Sequence, residues 1–145
     1  MEFNRLLSNA ISFYGEPSNK DFNSETTLKK ISKIDTKSYK SVLKEEELED
    51  LIKNLNEQSV IAVDTETSSL NPHEAELIGV SISFAPNISF YIPLGHKDVK
   101  GIKKDLVLKK LKIILEDSSI RKVGQNIKYD FIIFKNYGIE LNSID

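Results

Sequence analysis

The sequence contains no cysteine, which excludes disulfides and thiolate metal sites and is compatible with a reducing interior. Its two histidines, His73 and His96, are too few for a histidine-rich zinc site. No apolar run approaches the roughly 20 residues of a membrane span. The opening Met1-Glu2-Phe3-Asn4 also lacks the form of a signal peptide. A net charge of -2 supplies no global basic field for nucleic acid, so any such binding must come from local patches or bound metal. What remains reads as an intracellular soluble protein, or a piece of one. Its 145 residues, 39% hydrophobic and 29% charged, suit one domain with a real core.

The stretch that carries chemistry is VIAVDTETSSL, Val60 to Leu70. Four apolar residues, Val60 to Val63, run into Asp64 and Glu66, and Asn71-Pro72 closes the segment as a turn. A short β-branched run bounded by turn residues predicts a strand buried on both faces and central in its sheet. Side chains alternate along a strand, so Asp64 and Glu66 share a face, roughly 6.5 Å apart. Two adjacent carboxylates repel each other and cost desolvation, and a cation between them removes both penalties. Such hard oxygen ligands suit Mg²⁺ or Mn²⁺. The same residues also read as a solvated strand end leading into a polar turn, and this segment alone leaves both readings open.

In chain order, apolar residues at Phe3, Leu6, Leu7, Ala10, Ile11 and Tyr14 keep helical spacing, and Gly15-Glu16-Pro17 stops the helix. From Ser18 to about Thr36 the chain is rich in Ser, Asn, Thr and Lys and reads as a linker. Ser38 to Leu43 fits a short edge strand, and Glu45 to Leu55 a helix with acidic residues favouring the dipole in its first turn. Glu76 to Phe84, strand-like over Leu77 to Ile82 with Gly79 marking a bulge, and Ile88 to Leu94 follow as strands, forming an antiparallel meander with the strand that begins at Val60. Lys97 to Lys104 is a basic loop. Asp105 to Glu116 reads as a helix with Asp105 as N-cap, Arg121 to Gly124 as a short strand. Asn126 is positioned to cap a helix ending near Tyr137, with Gly138 as its stop, and Ile139 to Ile144 begins another extended segment. The expected fold is a mixed α/β sheet with helices packed against it.

Asp130 sits one turn into the helix that follows Asn126, with Tyr129 beside it. Aimed at the end of the Asp64 strand, it would supply a third carboxylate; left at the surface, it would merely favour the helix dipole. VDTETSSLNP, AELIGVSISF, FYIPLGH, LKIILED and KVGQNIKYDFIIFKNYGIEL, in this order, resemble the 3′–5′ exonuclease domain of bacterial DNA polymerase I, from about Tyr39 to the end. EFNRLL resembles the tail of that family's preceding nuclease domain. The resemblance implies a ribonuclease H-like fold over 37–145, preceded by a helix and linker over 1–36.

By the same resemblance, Asp64 and Glu66 match the first exonuclease motif, and Asn126 with Asp130 the second. The acids would hold two divalent cations, Mg²⁺ or Mn²⁺. Asp64 would be shared, Glu66 would serve the ion that carries the attacking water, and Asp130 the other. Ions about 4 Å apart would flank the scissile phosphate of a single-stranded DNA 3′ end. Thr67, Leu70 and Asn126 would lie near the terminal nucleotide. Leu70 would wedge against the bases, although a turn residue tucked onto the core fits the sequence equally. Lys97, Lys100, Lys103 and Lys104 read either as guides for the backbone or as a solvated loop.

The family's third motif, a Tyr followed four residues later by an Asp, has no counterpart. Leu141 occupies the acid position after Tyr137, and Asp145 is assigned no catalytic role. The resemblance therefore implies the N-terminal part of an exonuclease domain from a cytoplasmic, nucleoid-associated polymerase, weak or inactive in isolation. A ribonuclease D-like exoribonuclease shares both acidic elements and is the alternative enzyme. A non-catalytic DNA-positioning module is the alternative of another class.

Overall fold

Alternation along three neighbouring strands determines what is buried and what is left open. A computed structural model describes residues 36–96 and 99–145. The amphipathic helix and nearly all of the linker expected before Thr36 lie outside the described residues, as does Lys97. β1 (Tyr39–Ser41), α1 (Glu45–Asn56), β2 (Val60–Thr67), β3 (Leu77–Ala85), β4 (Ile88–Pro93), α2 (Lys104–Leu115), β5 (Arg121–Val123) and α3 (Ile127–Asn136) follow in order. They form a five-stranded sheet of order β1-β4-β3-β2-β5. β2, β3 and β4 are the expected antiparallel meander, while β1 lies parallel to β4 and β5 parallel to β2.

The register sorts the side chains by face. Val63, Ile82 and Phe90 form one cross-strand row, and Thr65, Val80 and Ile92 the next. These residues join Leu48, Leu51 and Leu55 of α1, Val107, Leu111 and Ile114 of α2, and Ile133 and Phe134 of α3 in one apolar core. Each fully buried Val, Leu or Ile stabilises the fold by about 1.5–3 kcal/mol relative to exposure. The opposite rows, Ala62–Ser83–Ser89 and Asp64–Ser81–Tyr91, stay partly or fully exposed. β2 is therefore buried on one face, not on both, because its alternate positions carry Asp64 and Glu66. The bulge expected at Gly79 is present: the register steps from Glu66↔Gly79 to Thr67↔Leu77. The skipped Ile78 carbonyl accepts the Leu94 and Gly95 N–H groups at 2.6 and 3.0 Å.

Three local readings need correction. α2 starts at Lys104, so Asp105 lies in the first turn and Lys103 takes the N-cap position without a side-chain cap. Asn126 precedes α3 but makes no side-chain cap either. Residues 139–143 form no strand. Ile139 and Leu141 enter the core, while Glu140 N donates to Glu116 Oε1 and Asn142 N to the Leu115 carbonyl. Those bonds to the end of α2 replace strand pairing, and a single bridge joins Lys122 to Ile144.

Gly138 does close α3, at φ 72°. Gly124 solves a tighter problem, since a Cβ there would stand 2.7 Å from the Val63 carbonyl oxygen. Only glycine lets the chain leave β5 pressed against β2 and turn into α3 beside Asp64. Gly124→Ala is expected to lower the free energy of unfolding by about 1–3 kcal/mol, read from urea denaturation.

Candidate active site

β2 projects Asp64 and Glu66 from its open face and turns Thr65 inward between them. β5 pairs with β2 only as far as Ala62. Past that point Thr65 finds its partner in α3: Asp130 Oδ1 accepts the Thr65 N–H at 2.9 Å and the Thr65 hydroxyl at 2.6 Å. Asp130 is 2% exposed, so the surface alternative is excluded. Oδ1 is committed to Thr65.

The turn after β2 is tied to the same helix. The Tyr129 hydroxyl donates to the Ser69 carbonyl at 2.6 Å and lies 2.6 Å from Thr67 Oγ1. Ser68 and Glu76 close the base of the loop, and Asn136 Nδ2 reaches the Pro72 carbonyl at 2.7 Å. At the tip Leu70 is 96% exposed, which excludes a side chain tucked onto the core. Asn126 occupies the left-handed region, φ 56° and ψ 38°, a conformation asparagine tolerates better than most residues. Its amide, free of capping, is exposed at the start of α3.

An open cleft of about 570 Å³ brings together Asp64, Glu66, Thr67, Leu70, Asn126 and Asp130. Thr65, Ser69 and Gln125 also line it without having been singled out from the sequence, as does Tyr129, read there only as the neighbour of Asp130. Thr65 had one signal: between two outward acids, alternation must turn it inward. Of the basic loop, Lys104 folds back with Nζ 5.5 Å from the Tyr137 ring centroid, and Lys100 and Lys103 are exposed. Tyr137 accepts no catalytic position, its hydroxyl receiving the Leu77 N–H at 3.0 Å.

Burial pushes the Asp130 carboxyl above the ordinary carboxylate range; the Thr65 bonds oppose this and the Asp64 charge adds to it. Three carboxylates on one cleft have the donor chemistry of a hard divalent cation site. Among the described residues, however, no three such side chains converge closely enough to hold a metal as they stand.

The model of the 3′–5′ exonuclease family matches residues 39–144. The chain belongs to the 3′–5′ exonuclease family. This exonuclease domain is 41% identical over 114 residues to DNA polymerase I of Borreliella burgdorferi, covering 77% of this chain and 12% of that protein. The chain thus spans about one-tenth of the length of the curated relatives it matches. Escherichia coli RNase D, an exoribonuclease involved in structured RNA processing, is similar in fold at TM-score 0.57 and 23% identity, covering 73% of this chain and 26% of that one. Brucella melitensis NrnC with bound Mg²⁺ is similar at TM-score 0.53 and 21% identity, over 73% and 47% of the two chains. The shared architecture is the ribonuclease H-like mixed sheet.

Asp130→Asn keeps an oxygen for both Thr65 bonds while removing the buried charge. A raised carboxyl holds its proton in the folded chain where the unfolded chain has lost it. Its ionisation therefore subtracts stability as pH rises through that window. The variant is expected to melt above the parent at pH 7 and to lose this advantage near pH 3, measured as Tm against pH.

Proposed function

We propose that this domain removes nucleotides from a DNA 3′ end by phosphodiester hydrolysis, as the exonuclease part of a DNA polymerase I. The observation that carries the reading is the single cleft shared by three carboxylates, an exposed leucine and an uncapped asparagine. Asp64, Glu66 and Asp130 would hold two divalent cations, Mg²⁺ or Mn²⁺. When bound, these would activate water and stabilise the leaving 3′ oxygen. Residues 37–145 belong to this domain.

The residues divide the work by position. Asp64 and Glu66 hold negative charge on the open face, where their mutual repulsion favours capture of a cation. Asp130 presents its carboxylate from a rigid mount, because Thr65 fixes Oδ1. Leu70 offers an apolar edge to the terminal base, Asn126 offers an amide to the sugar–phosphate, and Thr67 with Tyr129 forms the floor beneath them. The substrate is a single-stranded DNA end, which would place the protein in the cytoplasm with the nucleoid. The identity to DNA polymerase I favours DNA, while the likeness to RNase D keeps an exoribonuclease as the second reading. As the chain is expected to be weak or inactive in isolation, binding of labelled DNA and RNA strands of one sequence in Ca²⁺, compared side by side, separates the two.

Metal that binds only the folded chain raises Tm by linkage, adding about 2.7 kcal/mol at one hundred times Kd. Millimolar Mn²⁺ is expected to raise the parent's Tm by several degrees and to leave Asp64→Ala unchanged. Equal shifts in the two would place the metal elsewhere and reject the carboxylate assignment. Asn126→Gly suits the left-handed backbone and removes the amide. It is expected to hold or raise Tm while weakening binding of a labelled single strand by about tenfold, the loss of one or two hydrogen bonds, seen by fluorescence anisotropy in Ca²⁺.

A further inference from the structure

Tyr91 shares the open face of the sheet with the acids. Its own cross-strand row contains Ser81 and Asp64, and the next row contains Pro93, Gly79 and Glu66. The ring leans from the first row into the second. A Cβ built on Gly79 would stand 2.1 Å from the Tyr91 hydroxyl oxygen. The hydroxyl therefore fills the space that a side chain at 79 would occupy, directly cross-strand from Glu66, and opposed Cβ atoms lie about 5 Å apart. That separation puts the phenol within reach of the Glu66 carboxylate. His96 holds the phenol there, its Nε2 lying 2.6 Å from the hydroxyl.

We propose that Tyr91 is a positioning residue for Glu66: its hydroxyl, directed by His96, bonds one carboxylate oxygen and leaves the other facing the cleft. The phenol has one proton and two neighbours able to accept it. With Nε2 protonated, His96 donates to the phenol oxygen, and the phenol proton is free to turn to Glu66. The carboxylate charge favours that direction, and the same charge adds to burial in raising the Tyr91 pKa. Glu66 is exposed and otherwise samples many rotamers. Ordering it before a cation arrives removes that cost from binding. Gly79 follows as a requirement of the same arrangement, since any side chain there evicts the hydroxyl.

The inference rests on placing Glu66 in the cation-binding cleft, so the test reads Glu66 with and without metal. In the metal-free 145-residue chain labelled with ¹³C, Tyr91→Phe keeps the ring over Gly79 and removes only the hydroxyl. The Glu66 carboxyl resonance is expected to move while Tm stays within a degree or so of the parent. Mn²⁺ affinity is expected to fall about tenfold, the usual scale for a group that orients a metal ligand. His96→Gln retains a donor and should preserve the parent resonance, whereas His96→Ala should reproduce the Tyr91→Phe shift. A Glu66 resonance unmoved by Tyr91→Phe, or an Mn²⁺ affinity equal to the parent's, overturns the proposal. A parent that binds no Mn²⁺, with a resonance that still moves, overturns the cation assignment and leaves the Tyr91–Glu66 contact standing.

Discussion

Asp130 accepts two hydrogen bonds from Thr65, one from the backbone and one from the hydroxyl, in a place water hardly reaches. A buried carboxylate without partners would cost several kcal/mol, and hydrogen bonds to a charged group each return about 1.5–3 kcal/mol. The pair docks α3 onto β2 where β5 has stopped pairing, and occupies the Thr65 N–H on the strand edge beside the acids. The alternation of β2 then places Asp64 and Glu66 on either side of Thr65, on the opposite face. One pair of bonds thus anchors the helix to the strand and brings the third carboxylate to the cleft that the other two line.

Local signals in the sequence carried most of the fold. The existence and order of strands β2, β3 and β4 are legible in the sequence, as are the apolar stripes of α1 and α2 and the glycine that ends α3. Signals that depend on distant neighbours are not. The burial of Asp130 rests on a contact across 65 positions, and an acid one turn into a helix reads equally as a surface residue. β2 looked doubly buried because its first four residues are apolar. Its outer face is decided further along, by the acids and the small residues opposite them.

The misreadings at Asp105 and Asn126 share one physical origin: both residue types cap helices well, and capping chemistry says nothing about competing demands. At Asn126 the chain must turn sharply after Gly124 clears the Val63 carbonyl, and the left-handed backbone that results takes the amide away from the helix. The extended look of 139–144 failed similarly, because its two buried apolar residues serve a loop bonded to the end of α2 as readily as a strand. Tyr91 and His96 lie in FYIPLGH, a stretch that carries the resemblance but gives neither residue a role. The placement of Tyr91 beside Glu66 depends on the sheet register and on the absence of a side chain at Gly79.

Two adjacent residues of α3 grip the end of β2 at separate points: Asp130 holds Thr65, and Tyr129 bridges Thr67 and Ser69. Leu70 is the next residue along, outside both grips. The stretch from the acids to that leucine would therefore act as a gauge block in the proposed reaction, with one jaw at the carboxylates and the other at the exposed side chain. On the proposed function, a polymer end halting against Leu70 would meet the acids at one constant reach, whatever base it carried. Uniform step length would then be a property of this frame, independent of the sequence being read.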